Sequence, residues 1–220
     1  MSNTHQRAHD ALLHEIEAEV RDTQDMTGRA SLSKRVVQAL RQVRREAFVP
    51  DYLQDSAYLN MPLPIGHRQT ISQPYIVALM TELLEPQADQ VVLEVGTGSG
   101  YQAAVLAGLV KHVYSIEVVP ALAAEAKERL QRLGFHNVSV REGDGSLGWS
   151  EHAPYDAIIV TAAGPQIPQT LIEQLKPGGV LVMPVGGSYF GQSLRVIRKG
   201  ADSQLDERDV LPVTFVPLTH

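Results

Sequence analysis

Val91-Val92-Leu93-Glu94-Val95-Gly96-Thr97-Gly98-Ser99-Gly100 decides the fold of this 220-residue chain. A short apolar run of strand length passes straight into a turn with glycine at every second position. The glycines allow a tight turn and let a ligand approach the backbone closely. Tyr101 to Leu109 then reads as a short helix, whose first N–H groups lack intrahelical partners. A strand, a glycine turn and a helix thus open an alternating pattern.

The alternation continues downstream. His112–Glu117 reads as a strand and Pro120 to Leu133 as a helix, with Leu122, Ala126, Leu130 and Leu133 on one face and Gly134 at its stop. Val138–Arg141, Ala157–Thr161 and Val180–Val185 read as further strands, with a helix from Pro168 to Leu175 before the last of them. Leu194–Arg198 and Val213–Leu218 are strand-like, with no helical pattern of comparable strength between them. Short apolar strands alternating with amphipathic helices predict an α/β fold. It is a doubly wound, mostly parallel sheet of seven strands, with an antiparallel edge where the helices run out.

Upstream, residues 8 to 25 read as a polar helix with a thin apolar stripe of Ala8, Leu12, Ile16 and Val20, ended at Gly28. A second helix is predicted from Ser33 to Glu46, capped by Ser31 or Ser33, with Val36, Val37, Leu40 and Val43 on one face. Arg41, Arg44 and Arg45 fall toward its C-terminal end, where the dipole favours cations, and read as a solvated face. Pro50, Pro62, Pro64 and Gly66 keep Phe48 to Gly66 irregular, and a loop that long is often functional. Ser72 to Leu84 reads as a helix buried through Ile76, Leu79, Met80 and Leu83. Residues 1–32 are expected to form an N-terminal helical extension and residues 33–220 the main domain.

Composition bounds the function. Hydrophobic residues make up 44% and charged residues 20%, so a large core needs no staple. Cysteine is absent, which excludes disulfides, thiolate metal sites and a cysteine nucleophile. The formal charge of −6 disfavours a nucleic-acid partner. No apolar run approaches the ~20 residues of a membrane span, and none forms a signal region. A cytoplasmic protein is expected, with no membrane partner. The eight histidines show no metal-ligand spacing, so no metal is expected.

In such sheets ligands bind beyond the carboxyl ends of the strands. The turn there is G-x-G-x-G, with Tyr101 where a dinucleotide fingerprint carries its third glycine, and it lacks the lysine of a phosphate loop. Thr97 and Ser99 add hydroxyls. Glu117 ends the next strand, about 20 residues on, where an acid meets ribose hydroxyls. Asp144, in Gly143-Asp144-Gly145, either accepts from an adenine amino group or forms an ordinary Asp-Gly turn. Thr161-Ala162-Ala163-Gly164 after the fourth strand leaves room for a ligand or simply packs. Together these residues favour an adenosine-containing ligand without a pyrophosphate.

As a set, G-x-G-x-G, Glu117 and Asp144 resemble the cofactor site of class I S-adenosylmethionine methyltransferases, a Rossmann-like fold. Further segments narrow the resemblance: Pro64-Ile65-Gly66, Gln69-Thr70-Ile71-Ser72-Gln73-Pro74, Ala153-Pro154-Tyr155-Asp156, Lys176-Pro177-Gly178-Gly179, Pro184-Val185-Gly186 and Phe215-Val216-Pro217-Leu218. From about Val36 to Thr219 the chain resembles the protein-L-isoaspartate O-methyltransferases. Thr70-Ile71-Ser72-x-Pro74 is the most specific element.

That resemblance implies methyl transfer from S-adenosyl-L-methionine to the free α-carboxylate of L-isoaspartyl and D-aspartyl residues in damaged proteins, whose ester then closes to a succinimide. It implies cofactor contacts at Thr70, Ile71, Glu94, Gly96, Thr97, Gly98, Ser99, Gly100, Glu117, Val118, Asp144, Gly145, Thr161 and Thr219. It implies acceptor contacts at Ile65, Gly66 and Ser72, with Ser72 orienting the nucleophile. From spacing alone Ser72 reads instead as the N-cap of the helix that follows. The partners expected are isoaspartyl-containing proteins and peptides, met by a monomer. An α-carboxyl of pKa ~3.5 is already ionised at neutral pH, so no general base is required. The alternatives are a small-molecule methyltransferase, a nicotinamide dehydrogenase and a non-catalytic adenosine-binding module.

Overall fold

The structure is a computed structural model that describes residues 3–187 and 191–219. Helix α1 (Asn3–Asp22) and the short α2 (Gln24–Thr27) precede α3 (Lys34–Gln42), which Ser33 caps by accepting from the Val36 N–H. Two 3-10 turns and a hairpin, β1 (Leu63–Gly66) and β2 (Gln69–Ile71), lead into α4 (Pro74–Leu84). The alternating part then runs β3 (Val91–Val95), α5 (Tyr101–Ala107), β4 (His112–Glu117), α6 (Pro120–Arg132), β5 (Val138–Glu142), β6 (Tyr155–Val160) and α7 (Gln169–Gln174). It ends with β7 (Leu175–Gly187), β8 (Gly191–Lys199) and β9 (Leu205–Val213).

Strands β3 to β9 form one seven-stranded sheet in the order β5-β4-β3-β6-β7-β8-β9. The first five positions are parallel and the last two joins are antiparallel. From β3 the chain winds outward through β4 to β5, then returns to the other side of β3 as β6. That reversal opens a crevice at the carboxyl ends of β3 and β6, the place where such sheets bind ligands.

Period-two alternation sets the two core faces. Val92, Val113, Ile159 and Val182 pack under α3, α4 and α5, while Leu93, Ile116, Ile158 and Leu181 pack against Leu171 and Ile172 of α7. The stripe on α1 lies as its spacing predicts at Leu12, Ile16 and Val20, while Ala8 stays half-buried and Leu13 joins them. Leu12, Leu13, Ile16 and Val20 are buried in the first of these cores, each contributing about 1.5–3 kcal/mol of apolar burial. Because α1 covers its outer side, α4 is buried on nearly every face, and of its predicted core positions only Ile76 stays half-buried.

Four local expectations change. The second helix stops at Gln42 rather than Glu46, because Val43 takes an extended backbone and the chain tightens into a 3-10 turn over Arg45–Phe48. Arg45 is fully buried rather than solvated. Its guanidinium donates to the carbonyls of Ala57, Met61 and Ser72 and so ties the irregular loop to the start of α4. Strand β7 begins at Leu175, before the Lys-Pro-Gly-Gly run, which it carries through. The last strand is β9 at Leu205–Val213 rather than Val213–Leu218; its outward polar residues hide the alternation.

Candidate functional site

The glycine turn after β3 is built by its neighbours. Thr161, at the end of β6, donates its hydroxyl to the Gly96 carbonyl at 2.6 Å. Gly96 sits at φ +93°, and a Cβ there would lie 2.4 Å from the Thr161 oxygen, so only glycine fits. Gly98, at φ +52°, exposes its backbone toward Ile65 of the hairpin.

Glu117 closes the far side. Its carboxylate accepts from the Gly98 N–H at 2.7 Å and from the Val119 N–H at 3.0 Å. The residue is only 5% exposed and stands in no ion pair among the described residues. A carboxylate carries about four acceptor positions, so two backbone donors leave capacity for hydroxyls of a ligand. The arrangement suits a ribose diol.

Thr97, Gly98, Ser99, Gly96, Glu117 and Val118 line one cavity together with Gly145, Thr161 and Thr219. Thr70, Ile71 and Ser72 form its opposite wall. The crevice therefore brings together most of the residues singled out in the sequence. Gly100 and Glu94 lie behind the turn rather than on the cavity wall. Gly100 occupies the N-cap of α5 with φ 87°.

Glu94 is wholly buried beneath the turn. Its carboxyl hydrogen-bonds the Ser115 hydroxyl, which in turn meets Thr97 Oγ1 at 2.6 Å. Its other oxygen, Oε1, has no partner among the described residues. Burial pushes its pKa up to about 8, with the Ser115 bond opposing and the charge of Glu117 adding. A neutral acid here steadies Thr97 through Ser115 and adds no second charge beside Glu117.

Asp144 takes the turn geometry: it accepts from the Ser146 N–H at 2.8 Å and Ser146 Oγ at 2.7 Å as the N-cap of a 3-10 turn. Gly66 is exposed at the hairpin tip with φ +90°, and Ile65 packs over the glycine turn from the same hairpin.

Ser72 does not cap α4. Gln73 holds the N-cap position without a side-chain bond, and the Tyr75 N–H donates to Asn60 Oδ1 at 3.0 Å instead. The Ser72 side chain is half-buried and lines both the first cavity and a second of about 540 Å³ that shares Thr70, Thr161 and Val216 with it. Wall residues of the first cavity to which the sequence assigned no contact include Gln69, Val77, Gln102, Ile116 and the segment Val216–Leu218. Val216–Leu218 was legible as extended and as part of the family resemblance, but not as a wall of the site. It clasps the loop after β6, where Ala163 donates to the Val216 carbonyl and the Leu218 N–H donates back to Ala163, each at 2.8 Å.

No histidine lines either cavity among the described residues. No cluster that could hold a metal ion occurs among them, and none of their helices is long and apolar enough to cross a membrane.

Comparison with known proteins agrees with this geometry. The model of the protein-L-isoaspartate(D-aspartate) O-methyltransferase family matches residues 22–220. Protein-L-isoaspartate O-methyltransferase 2 of Syntrophobacter fumaroxidans is 54% identical over 208 residues, covering 94% of this chain and 84% of that protein. The Polaromonas sp. protein of the same name is also 54% identical, covering 94% of this chain and 99% of that one. A solved protein-L-isoaspartate O-methyltransferase superposes with a TM-score of 0.84 at 28% identity, over 96% of this chain and 66% of that chain. A Plasmodium falciparum structure solved with S-adenosyl-L-homocysteine shares the fold, with a TM-score of 0.77 at 24% identity over 96% of this chain and 98% of that one. The chain belongs to the protein-L-isoaspartate(D-aspartate) O-methyltransferase family.

Proposed function

We propose that the chain methylates the free α-carboxylate of L-isoaspartyl and D-aspartyl residues in polypeptides, using S-adenosylmethionine. One observation carries the assignment of roles. Ser72, relieved of capping by Asn60, stands on the wall common to the two cavities, where a donor and an acceptor would meet. Membership of the family supports the reaction itself.

The residues present fit the cofactor. Glu117 would take the ribose hydroxyls, the Gly96–Ser99 turn would run along the ligand, and Gly145 with Asp144 would bound the adenine end. Thr70, Ile71, Val118 and Thr219 would enclose the remainder, with Glu94 and Gly100 shaping the turn from behind. When bound, S-adenosylmethionine supplies a methyl group on a sulfonium sulfur, an electrophile that needs no further activation.

The protein's own task is placement. Ser72 donates a hydrogen bond to the acceptor carboxylate and fixes which oxygen faces the cofactor. Ile65 and Gly66 would flank the acceptor chain. The carboxylate is already ionised at neutral pH, so a site without histidine lacks nothing. Holding two reactants in line can lower a barrier by ~7–11 kcal/mol. Val216–Leu218 add an apolar side to the cavity in which the anion would be placed.

The direct test is incubation with labelled cofactor and matched peptides, one isoaspartyl and one normal. Label should enter only the isoaspartyl peptide, as a base-labile ester. Equal labelling of both would overturn the assignment. A small-molecule methyltransferase or a silent adenosine-binding module would label neither.

A further inference from the structure

The second cavity has one charged side chain among its described lining residues, and it comes from the N-terminal extension. Glu19 of α1 faces Pro62, Ile76, Pro212 and Phe215 across a space that reaches Ser72. Its Oε2 accepts from Asn60 Nδ2 at 2.7 Å, and Gln73 Nε2 donates to both oxygens at 3.3 and 3.4 Å. The Asn60 amide is itself fixed, because its oxygen is engaged by the Tyr75 N–H. Glu19 is thus held beside the residue that follows Ser72.

No lysine or arginine pairs with it among the described residues. Partial burial pushes its pKa up, and the charges of Glu15 and Asp22 on its own helix add to that rise. Among the described residues, Asn60 and Gln73 oppose that rise, and neither is a cation. A half-enclosed carboxylate in this state has unused acceptor capacity and favours an incoming cation. The family match begins at residue 22, so Glu19 itself lies just outside the matched span while the rest of the cavity wall lies within it.

We propose that Glu19 forms a second subsite of the acceptor cleft, one that selects isoaspartyl polypeptides carrying a lysine or arginine close to the damaged residue. The proposal rests on the methyltransferase reading above. The cavity is continuous with the acceptor position through Ser72 and Thr70, its walls are otherwise apolar or neutral, and its single charge is negative. The aliphatic stem of a lysine would lie on Pro62, Ile76 and Phe215, with its ammonium group at Glu19. An acidic neighbour in the same place would meet repulsion.

The test compares isoaspartyl peptides that differ only in having Lys, Gln or Glu at one position near the isoaspartyl residue, moved along the peptide in a series. A matched normal-aspartyl peptide serves as control. At its best position the Lys peptide should show a KM about fivefold below the Gln peptide, the size of a partly exposed ion pair, and the Glu peptide a higher KM than either. The kcat should be common to all three. The Glu19→Gln variant should lose this ranking while keeping its affinity for S-adenosylhomocysteine. In the wild type the ranking should shrink as salt is raised.

Equal KM values in the wild type would overturn the proposal. So would a Glu19→Gln variant that slows all peptides alike and keeps the ranking, which would make Glu19 only a brace for Asn60 and Gln73. If that variant fails to fold, the salt titration decides, since a preference indifferent to salt is not Glu19's. Failure of the underlying reading looks different: no isoaspartyl peptide would be labelled above the normal control.

Discussion

The Tyr75 amide takes its acceptor from Asn60, fifteen residues upstream, and the Ser72 hydroxyl, the cap expected from spacing, is left uncommitted among the described residues. This separates structure from chemistry at one side chain. Ser72→Ala should leave the thermal midpoint nearly unchanged, because no cap is lost. It should lower kcat/KM for an isoaspartyl peptide by about 10- to 100-fold, the scale of a hydrogen bond to a charged group. A midpoint several degrees lower with unaltered kcat/KM would return Ser72 to a purely structural role. Sequence spacing cannot reveal such a substitution of caps, since the cap box is local and Asn60 is not. Arg45 shows the same blindness from the other side. In sequence it belongs to a basic helix end, yet three carbonyls from separate segments converge on it, and burial lowers its pKa to about 10 without neutralising it at physiological pH.

At the scale of elements, the strands and helices of the alternating region were legible because each buries a face whose period matches its geometry. β4 lies at the residues expected, and β3 likewise. The misplaced final strand was illegible for the converse reason. Residues 205–209 of β9 are all exposed and only Leu205 among them is apolar, so no alternation marks the pleat there. The start of α4 depends on the loop before it. Asn60→Ala should therefore cost about 1 kcal/mol of stability, the usual worth of a helix cap, read as a lower urea midpoint. An unchanged midpoint would mean that solvent replaces Asn60 at no cost. The turn proposed to hold the cofactor was legible in its glycines and in Glu117. The clasp of Val216–Leu218 onto Ala163 was not, since a pairing this short leaves no pattern of its own.

For the whole molecule, the most consequential group is the acid buried under the turn. Glu94 has a folded-state pKa raised to about 8 from an ordinary 4.5. A carboxyl raised in this way binds more protons folded than unfolded between those two values. Its contribution is complete below the unfolded pKa and is lost as pH rises through the folded one. Stability measured by urea denaturation should decline from about pH 5 to 9, and Glu94→Gln should flatten that slope. A slope identical in both proteins would show that Glu94 is ionised within the fold.

The sheet's outer strand has a consequence for the company this protein keeps. An open strand edge is a template on which foreign chains can polymerise. Here Arg208 of β9 reaches the Thr27 carbonyl of α2, and Arg195 pairs outward with Glu207 and Asp209, so the flank is part shielded and heavily charged. An enzyme that acts on isoaspartyl-containing polypeptides brings foreign chains up to its own surface, where an exposed strand could pair with them. Its border is guarded against co-aggregation with the very molecules it attends.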